Sequence, residues 1–334
     1  MKSKKILITG GLGFIGSAAV RRAIKDGHKV LNIDAMCYSA NLENVASIEQ
    51  HKNYAFTKLD LADKAELEAA FLEFQPDLVI HFAAESHVDN SIKNPLVFIK
   101  TNIVGTFNLL EISKGYFLSN ERDKSDFTLL HVSTDEVFGS LGRSGSFNEE
   151  TRYDPKSPYS ASKASSDHLV RAWGNTFGLP VKITNCSNNF GPYQHYEKLV
   201  PVIIRKALAG EEIPIYGNGS NVRDWLFVDD HIDAIMAVLF DGKLKETYLI
   251  GGNNEISNLE MANLICDKLD ILYPTPKPRR ELIKLVEDRK GHDFRYSVNC
   301  KKINKELGWY PKTKFDHGLD KTIQFYFRTQ ILEI

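Results

Sequence analysis

Tyr159 and Lys163 stand four residues apart in SPYSASKASSDHLVRAW, and Asp135 and Glu136 stand side by side in HVSTDEVFG. On a helix, residues four apart share one face, a turn from each other. A phenol with its ordinary pKa of about 10 is a poor base, and an ammonium beside it favours the phenolate. Such a pair can take a proton from a hydroxyl while a hydride leaves the same carbon. Adjacent carboxyls held close raise each other's pKa, so they are either solvated in a loop or arranged to divide acid and base work.

The elements that must position these groups are legible as alternating runs. KKILITG, HKVLNID, YAFTKLD, DLVIHFA, FTLLHVST and VKITNCS are short and apolar or β-branched, with helical patterns between them. This alternation predicts an α/β fold, a doubly wound, Rossmann-like parallel sheet covered by helices on both faces. Ser133 and Thr134 then close a strand immediately before the acid pair, on the carboxyl side of the sheet where ligands bind. Ser157-Pro158 opens the helix that carries Tyr159 and Lys163.

The first run ends in TGGLGFIG and feeds a helical pattern over residues 14 to 26. Gly10, Gly13 and Gly16 there permit a tight turn and the close approach of a pyrophosphate to a helix N-terminus. Asp34 ends the second run where an acid would hydrogen-bond an adenosine ribose and repel a 2′-phosphate, which favours NAD over NADP. Asp60 and Leu61 end the third run, where an adenine could lie.

With 334 residues, 43% of them hydrophobic and 25% charged, the chain is long enough for two lobes. We expect a nucleotide-binding domain over 1–187 and a smaller, mixed α/β substrate domain over 188–334. Residues 223–250 form a strand and helix that could rejoin the first sheet. A net charge of -1 offers no field for nucleic acid. Cys37, Cys186, Cys266 and Cys300 lack metal-ligand or disulfide-framework spacing, and no apolar stretch reaches the roughly 18 residues of a membrane span. These features predict a cytoplasmic protein with no metal, no membrane and no nucleic-acid partner.

Taken in order, TGGLGFIG, STDEVFG and YSASK resemble the extended short-chain dehydrogenase/reductase family. HFAAESHVDNSI, TNIVGT, TNCSNNFGPYQ, EKLVPVII, PIYGNGSNVRDWLFVDDH and GHDFRY sharpen the resemblance to its nucleoside-diphosphate-glucose 4,6-dehydratases, from residue 4 to about 327. That resemblance implies an NAD-dependent lyase that oxidises C4 of the sugar, eliminates water across C5 and C6, and returns the hydride to C6, with tightly bound NAD regenerated each turnover. It makes Glu136 the base at C5, Asp135 the acid at O6, and Thr134 a hydrogen-bonding partner of O4. It completes the cofactor set with Phe14, Ile15, Ala83, Ala84, Ser86, Thr101 and Asn188. The sugar nucleotide is assigned Ser86, Thr134, Asn188, Lys198, Leu199, Pro214, Ile215, Tyr216, Asn258 and His292. Arg223 and Arg289 suit the diphosphate, because a guanidinium fork matches phosphate oxygens.

dTDP-glucose is the substrate the resemblance favours, with UDP-glucose or UDP-N-acetylglucosamine as alternatives. An epimerase or decarboxylase using Tyr159 and Lys163 alone, and a nucleotide-binding scaffold protein, are competing readings. Lys290 stands where family members carry proline, and the connection between STDEVFG and SPYSASK is shorter than in some dehydratases. Residues 95–118 and 158–177 read as long helices with surplus apolar surface, and the resemblance pairs such helices in a four-helix homodimer interface.

Overall fold

In a computed structural model, which describes residues 2–119, 127–289 and 291–331 (330 and 331 as backbone), the six apolar runs are strands of one parallel sheet. They are β1 (Lys5–Thr9), β2 (Lys29–Asp34), β3 (Tyr54–Lys58), β4 (Leu78–His81), β5 (Thr128–Thr134) and β6 (Val181–Cys186), joined by β7 (Thr247–Ile250). The spatial order is β3-β2-β1-β4-β5-β6-β7. The chain winds outward from β1 to β3 and then crosses to β4, so a crevice opens between the carboxyl ends of β1 and β4.

Helices fill both faces because the strands present apolar side chains to each. Ile6, Ile8, Ile80 and Leu130 pack on one side with Ala19, Ile232 and Ile235. Leu7, Val79, Leu129 and Ile183 pack on the other with Leu67, Phe71, Leu109 and Val170. The helix Pro158–Phe177, which carries the Tyr-Lys pair, begins with Pro158 and a reciprocal Ser157–Ser160 capping box. Its neighbour runs from Pro95 to Leu118 and contains a π-helical segment, Ile99–Gly105. By length and composition this helix could cross a membrane, yet half of it is buried in the fold.

The second lobe surrounds Ile203, Ile204, Met261, Ile265, Leu319 and Ile323. Its small sheets join Glu255–Ser257, Val222–Phe227 and Asn188–Phe190, and separately Ile283–Val286 with Ile213–Tyr216. The strand Val222–Phe227 therefore belongs to the second lobe, not to the large sheet as its position in 223–250 suggested. What returns to the first lobe is the helix Val228–Asp241, packed on its core, followed by β7. The four cysteines are free thiols. Among the described residues, no group of three or more His, Cys, Asp or Glu is placed to hold a metal. Lys290 lies outside the described residues.

Candidate active site

A cleft of ≈ 300 Å³ sits at the crevice between β1 and β4 and runs toward the second lobe. Gly10, Gly13, Phe14, Ile15, Gly16, Asp34, Asp60, Leu61, Ala83, Ala84, Ser86 and Thr101 line it, together with Thr134, Glu136, Tyr159, Lys163, Asn188 and Lys198. Backbone builds the floor. Gly10 has φ +73°, and a Cβ there would lie 2.7 Å from the Ala83 backbone; one on Gly16 would lie 2.1 Å from the Gly10 carbonyl oxygen. Asp34 accepts the Leu12 and Met36 amides at 3.0 and 2.8 Å, which orients its carboxylate at the end of β2.

The cradle fits an NAD dinucleotide. Its glycines leave room for backbone to meet a pyrophosphate, its acid ends β2, and buried Ser133 Oγ, Ser187 Oγ, Asn188 Oδ1 and Gln194 Oε1 lack hydrogen-bond partners while their residues line the cleft.

Beyond the cradle, β5 delivers Thr134 and then turns into a short 3₁₀ segment, Asp135–Phe138. Thr134 caps it: its Oγ1 accepts the Glu136 amide at 3.3 Å and lies 3.4 Å from Asp135 Oδ1. The two acids diverge in environment. Asp135 is 1% exposed, one of its carboxylate oxygens is unpartnered, and burial reinforced by Glu136 and Asp224 holds its pKa well above the ordinary range. Glu136 faces the cleft. Burial raises it too, but Arg223, Lys198 and Arg289 pull it back toward the ionised form.

Tyr159 reverses one expectation. Burial, then the Glu136 carboxylate, pushes its phenol well above its ordinary value, where a neighbouring ammonium was expected to draw it down. Lys163 Nζ donates to the Val132 carbonyl at 2.9 Å, on β5, and burial is the dominant influence on the phenol.

The second lobe contributes a web of cations and aromatic rings. Lys198 Nζ donates to the Ser86 carbonyl at 3.1 Å, tying the lobes across the cleft. Arg223 is 6% exposed, donates to the Asp293 carbonyl at 3.0 Å and stacks 4.3 Å over Tyr296. Arg289 lies 5.6 Å over Tyr216 and 3.3 Å from His292, which in turn meets Asp288 at 2.6 Å. Asn258 is buried at the start of the helix Asn258–Leu272, its amide on the Asn221 carbonyl. Leu199 begins the helix Leu199–Ala209 and Pro214 is exposed on its strand. Ile215 is 1% exposed in the core of this lobe. Its side chain packs inward, while the neighbouring Tyr216 is exposed and reaches the arginine cluster. The shortened connection after STDEVFG bridges to the arginine-bearing segment through Leu141–Arg295 and Phe147–Ser297 backbone bonds of 2.9 and 2.8 Å.

Several contributors were not singled out in the sequence, although most lie within the runs quoted above. Asn102, in the π segment, holds the Glu85 amide and carbonyl and donates to Ser162 Oγ at 2.8 Å, fixing the helix of Tyr159 against β4's exit. Glu85, Gln194 and His195 line the cleft, and Tyr296 and Asp293 brace Arg223. Asp167 was legible from spacing as well, because it continues the four-residue spacing of Tyr159 and Lys163.

The family model for GDP-mannose 4,6 dehydratase matches residues 7–322. The dTDP-glucose 4,6-dehydratase of Salmonella typhimurium is 51% identical over 96% of this chain and 92% of its own length. A crystal structure of the Bacillus anthracis dTDP-glucose 4,6-dehydratase in complex with NAD superposes with TM-score 0.87 at 44% identity, covering 98% of each chain. The Streptomyces venezuelae dTDP-glucose 4,6-dehydratase, solved with NAD and TYD bound, gives TM-score 0.90 at 40% identity, again over 98% of each chain.

Proposed function

Because the chain belongs to the dTDP-glucose 4,6-dehydratases, we propose a division of labour among its own residues for the reaction of that family. The activity is an NAD-dependent hydro-lyase reaction: dTDP-glucose gives dTDP-4-keto-6-deoxyglucose and water. NAD, when bound, supplies the chemistry of accepting the C4 hydride and giving it back at C6.

Gly10, Gly13, Phe14, Ile15 and Gly16 would hold the cofactor's pyrophosphate, Asp34 its adenosine ribose, and Asp60 with Leu61 its adenine. Ala83, Ala84, Thr101, Lys163 and Asn188 would line the remainder of the cleft. Tyr159 takes the O4 proton, and Thr134 orients O4 beside it. Once C4 is a ketone, the C5 proton is acidic; Glu136 removes it while Asp135 protonates the departing O6. Arg223 and Arg289 hold the diphosphate, and Ser86, Lys198, Leu199, Pro214, Tyr216, Asn258 and His292 enclose the sugar nucleotide.

One observation carries this reading: the two adjacent carboxyls, both raised by burial, occupy different electrostatic surroundings. Burial, then Glu136 and Asp224, hold the Asp135 carboxyl well above the ordinary range, whereas Arg223, Lys198 and Arg289 oppose the burial of Glu136 and favour its ionised form. An epimerase has no use for that asymmetry. Incubation with dTDP-glucose, UDP-glucose and UDP-N-acetylglucosamine in turn, followed by mass spectrometry, tests it: loss of one water from dTDP-glucose is expected, and an unchanged mass with all three overturns it.

A homodimer is the assembly this surface supports. Leu96, Ile99, Val104 and Phe107 of one helix are 39–56% exposed, and the Phe107 ring meets Trp173 of the catalytic helix edge-on. Val104→Glu should shift sedimentation from dimer to monomer; a wild-type monomer at micromolar concentration would contradict the proposal.

A further inference from the structure

Asp167 lies one helical turn beyond Lys163, on the face that begins with Tyr159 and continues to Arg171. It is 0% exposed. Its Oδ2 accepts the Tyr153 hydroxyl at 2.8 Å and Asn185 Nδ2 at 3.1 Å, and its Oδ1 lies 3.1 Å from His131 Nε2. Two of these contacts lead back to the catalytic strand. The same Asn185 amide donates to the Thr134 carbonyl at 3.0 Å, and His131 lies on β5 next to Val132, whose carbonyl holds Lys163.

A carboxylate this deep costs several kcal/mol unless matched by charge and hydrogen bonds. Burial raises its pKa, but His131, Lys163 and Tyr153 outweigh that and leave it below the ordinary range, so it is ionised. His131 does not neutralise it: burial, then Lys163, brings that imidazole down to about 4, and it is uncharged at neutral pH. Burial likewise draws Lys163 down, and the first charge to restore it is Asp167, ahead of the Cys186 thiol. The other groups packed around this pair are His81, 5.1 Å from the His131 ring and neutral in its burial, and Arg171, which reaches Tyr153 Oη at 2.8 Å.

We propose that Asp167 is a positioning residue for the oxidation step, the buried counterion that keeps Lys163 charged and anchored beneath Tyr159. The inference rests on the role given above to Tyr159 and Lys163. It extends that pair into a line of four residues, Tyr159, Lys163, Asp167 and Arg171, whose far end is clamped by Tyr153.

The test compares Asp167→Asn, which keeps volume but removes charge, with Tyr153→Phe, which removes a hydrogen bond but keeps the charge. For each holoenzyme the rate of C4 oxidation is followed by reduced-nicotinamide absorbance across pH. Losing the carboxylate lets Lys163 shed its proton earlier. The alkaline limb of Asp167→Asn should therefore move to lower pH by about 1–3 units, with KM for dTDP-glucose unchanged, while Tyr153→Phe keeps the wild-type limb. A limb unmoved in Asp167→Asn, in protein whose circular dichroism and NAD content match wild type, overturns the inference; so does an equal shift in both variants. Tyr159→Phe separates the two levels: oxidation persisting in that variant defeats the underlying reading, whereas its loss alongside an unmoved Asp167→Asn limb defeats this inference alone.

Discussion

The two walls of the cleft are built from different materials. The cofactor side is backbone: a positive-φ glycine against Ala83, a second glycine against the first, and an acid pinned by two amides. The side formed by the second lobe is side chain: guanidinium groups over tyrosine rings, a lysine on a carbonyl of the opposite lobe, a histidine on an aspartate. A backbone wall is fixed once its strand and helix form and tolerates no added atom. A side-chain wall is adjustable, and it can charge or neutralise the groups that face it, as it does for Glu136.

The sharpest way to break this contrast is Gly16→Val. A Cβ would sit 2.1 Å from the Gly10 oxygen, so we expect protein purified without NAD and with no measurable turnover; retained NAD by absorbance would show that the turn can yield. Next comes Glu136→Gln, expected to slow dehydration by about 10²–10⁴-fold, the usual worth of a positioned base, while NAD stays bound. Arg223→Lys tests the adjustable wall directly. Losing the fork should cost about 1.5–3 kcal/mol, read as a rise of about ten- to a hundredfold in KM for dTDP-glucose, with NAD content unchanged. An unaltered KM would remove Arg223 from the diphosphate site. The mildest effect is a limb in the pH profile. Burial is the first influence on Glu136 and raises it, and a base must be ionised, so activity should fall as pH drops toward a limb lying above the ordinary glutamate value of about 4.3.

The same contrast explains what could be read from the sequence. Strands β1 to β6, the glycine turn and the Tyr-Lys helix are local: their periodicity, caps and glycines lie within a few residues of each other. β7 was not recognised, because Thr247–Ile250 is short and enters the sheet beside β6 only after an excursion through the other lobe. Val222–Phe227 misled for the converse reason; a buried strand looks alike in either sheet, and only its pairing with Glu255–Ser257 and Asn188–Phe190 decides the lobe. Alternation along Ile213–Tyr216 turns Ile215 inward and Tyr216 outward. The raised phenol of Tyr159 follows first from burial and then from Glu136, which tertiary packing sets and the four-residue spacing to Lys163 does not reveal.

The account stands most directly on the split between Asp135 and Glu136. Glu136→Gln holoenzyme mixed with dTDP-glucose in D₂O, and followed for reduced-nicotinamide absorbance, sugar mass and deuterium at C5, isolates it. The account predicts that oxidation proceeds, absorbance persists, C5 keeps its proton and no water is lost. Water loss with deuterium entering C5 at the wild-type rate would contradict it and move the base to another residue.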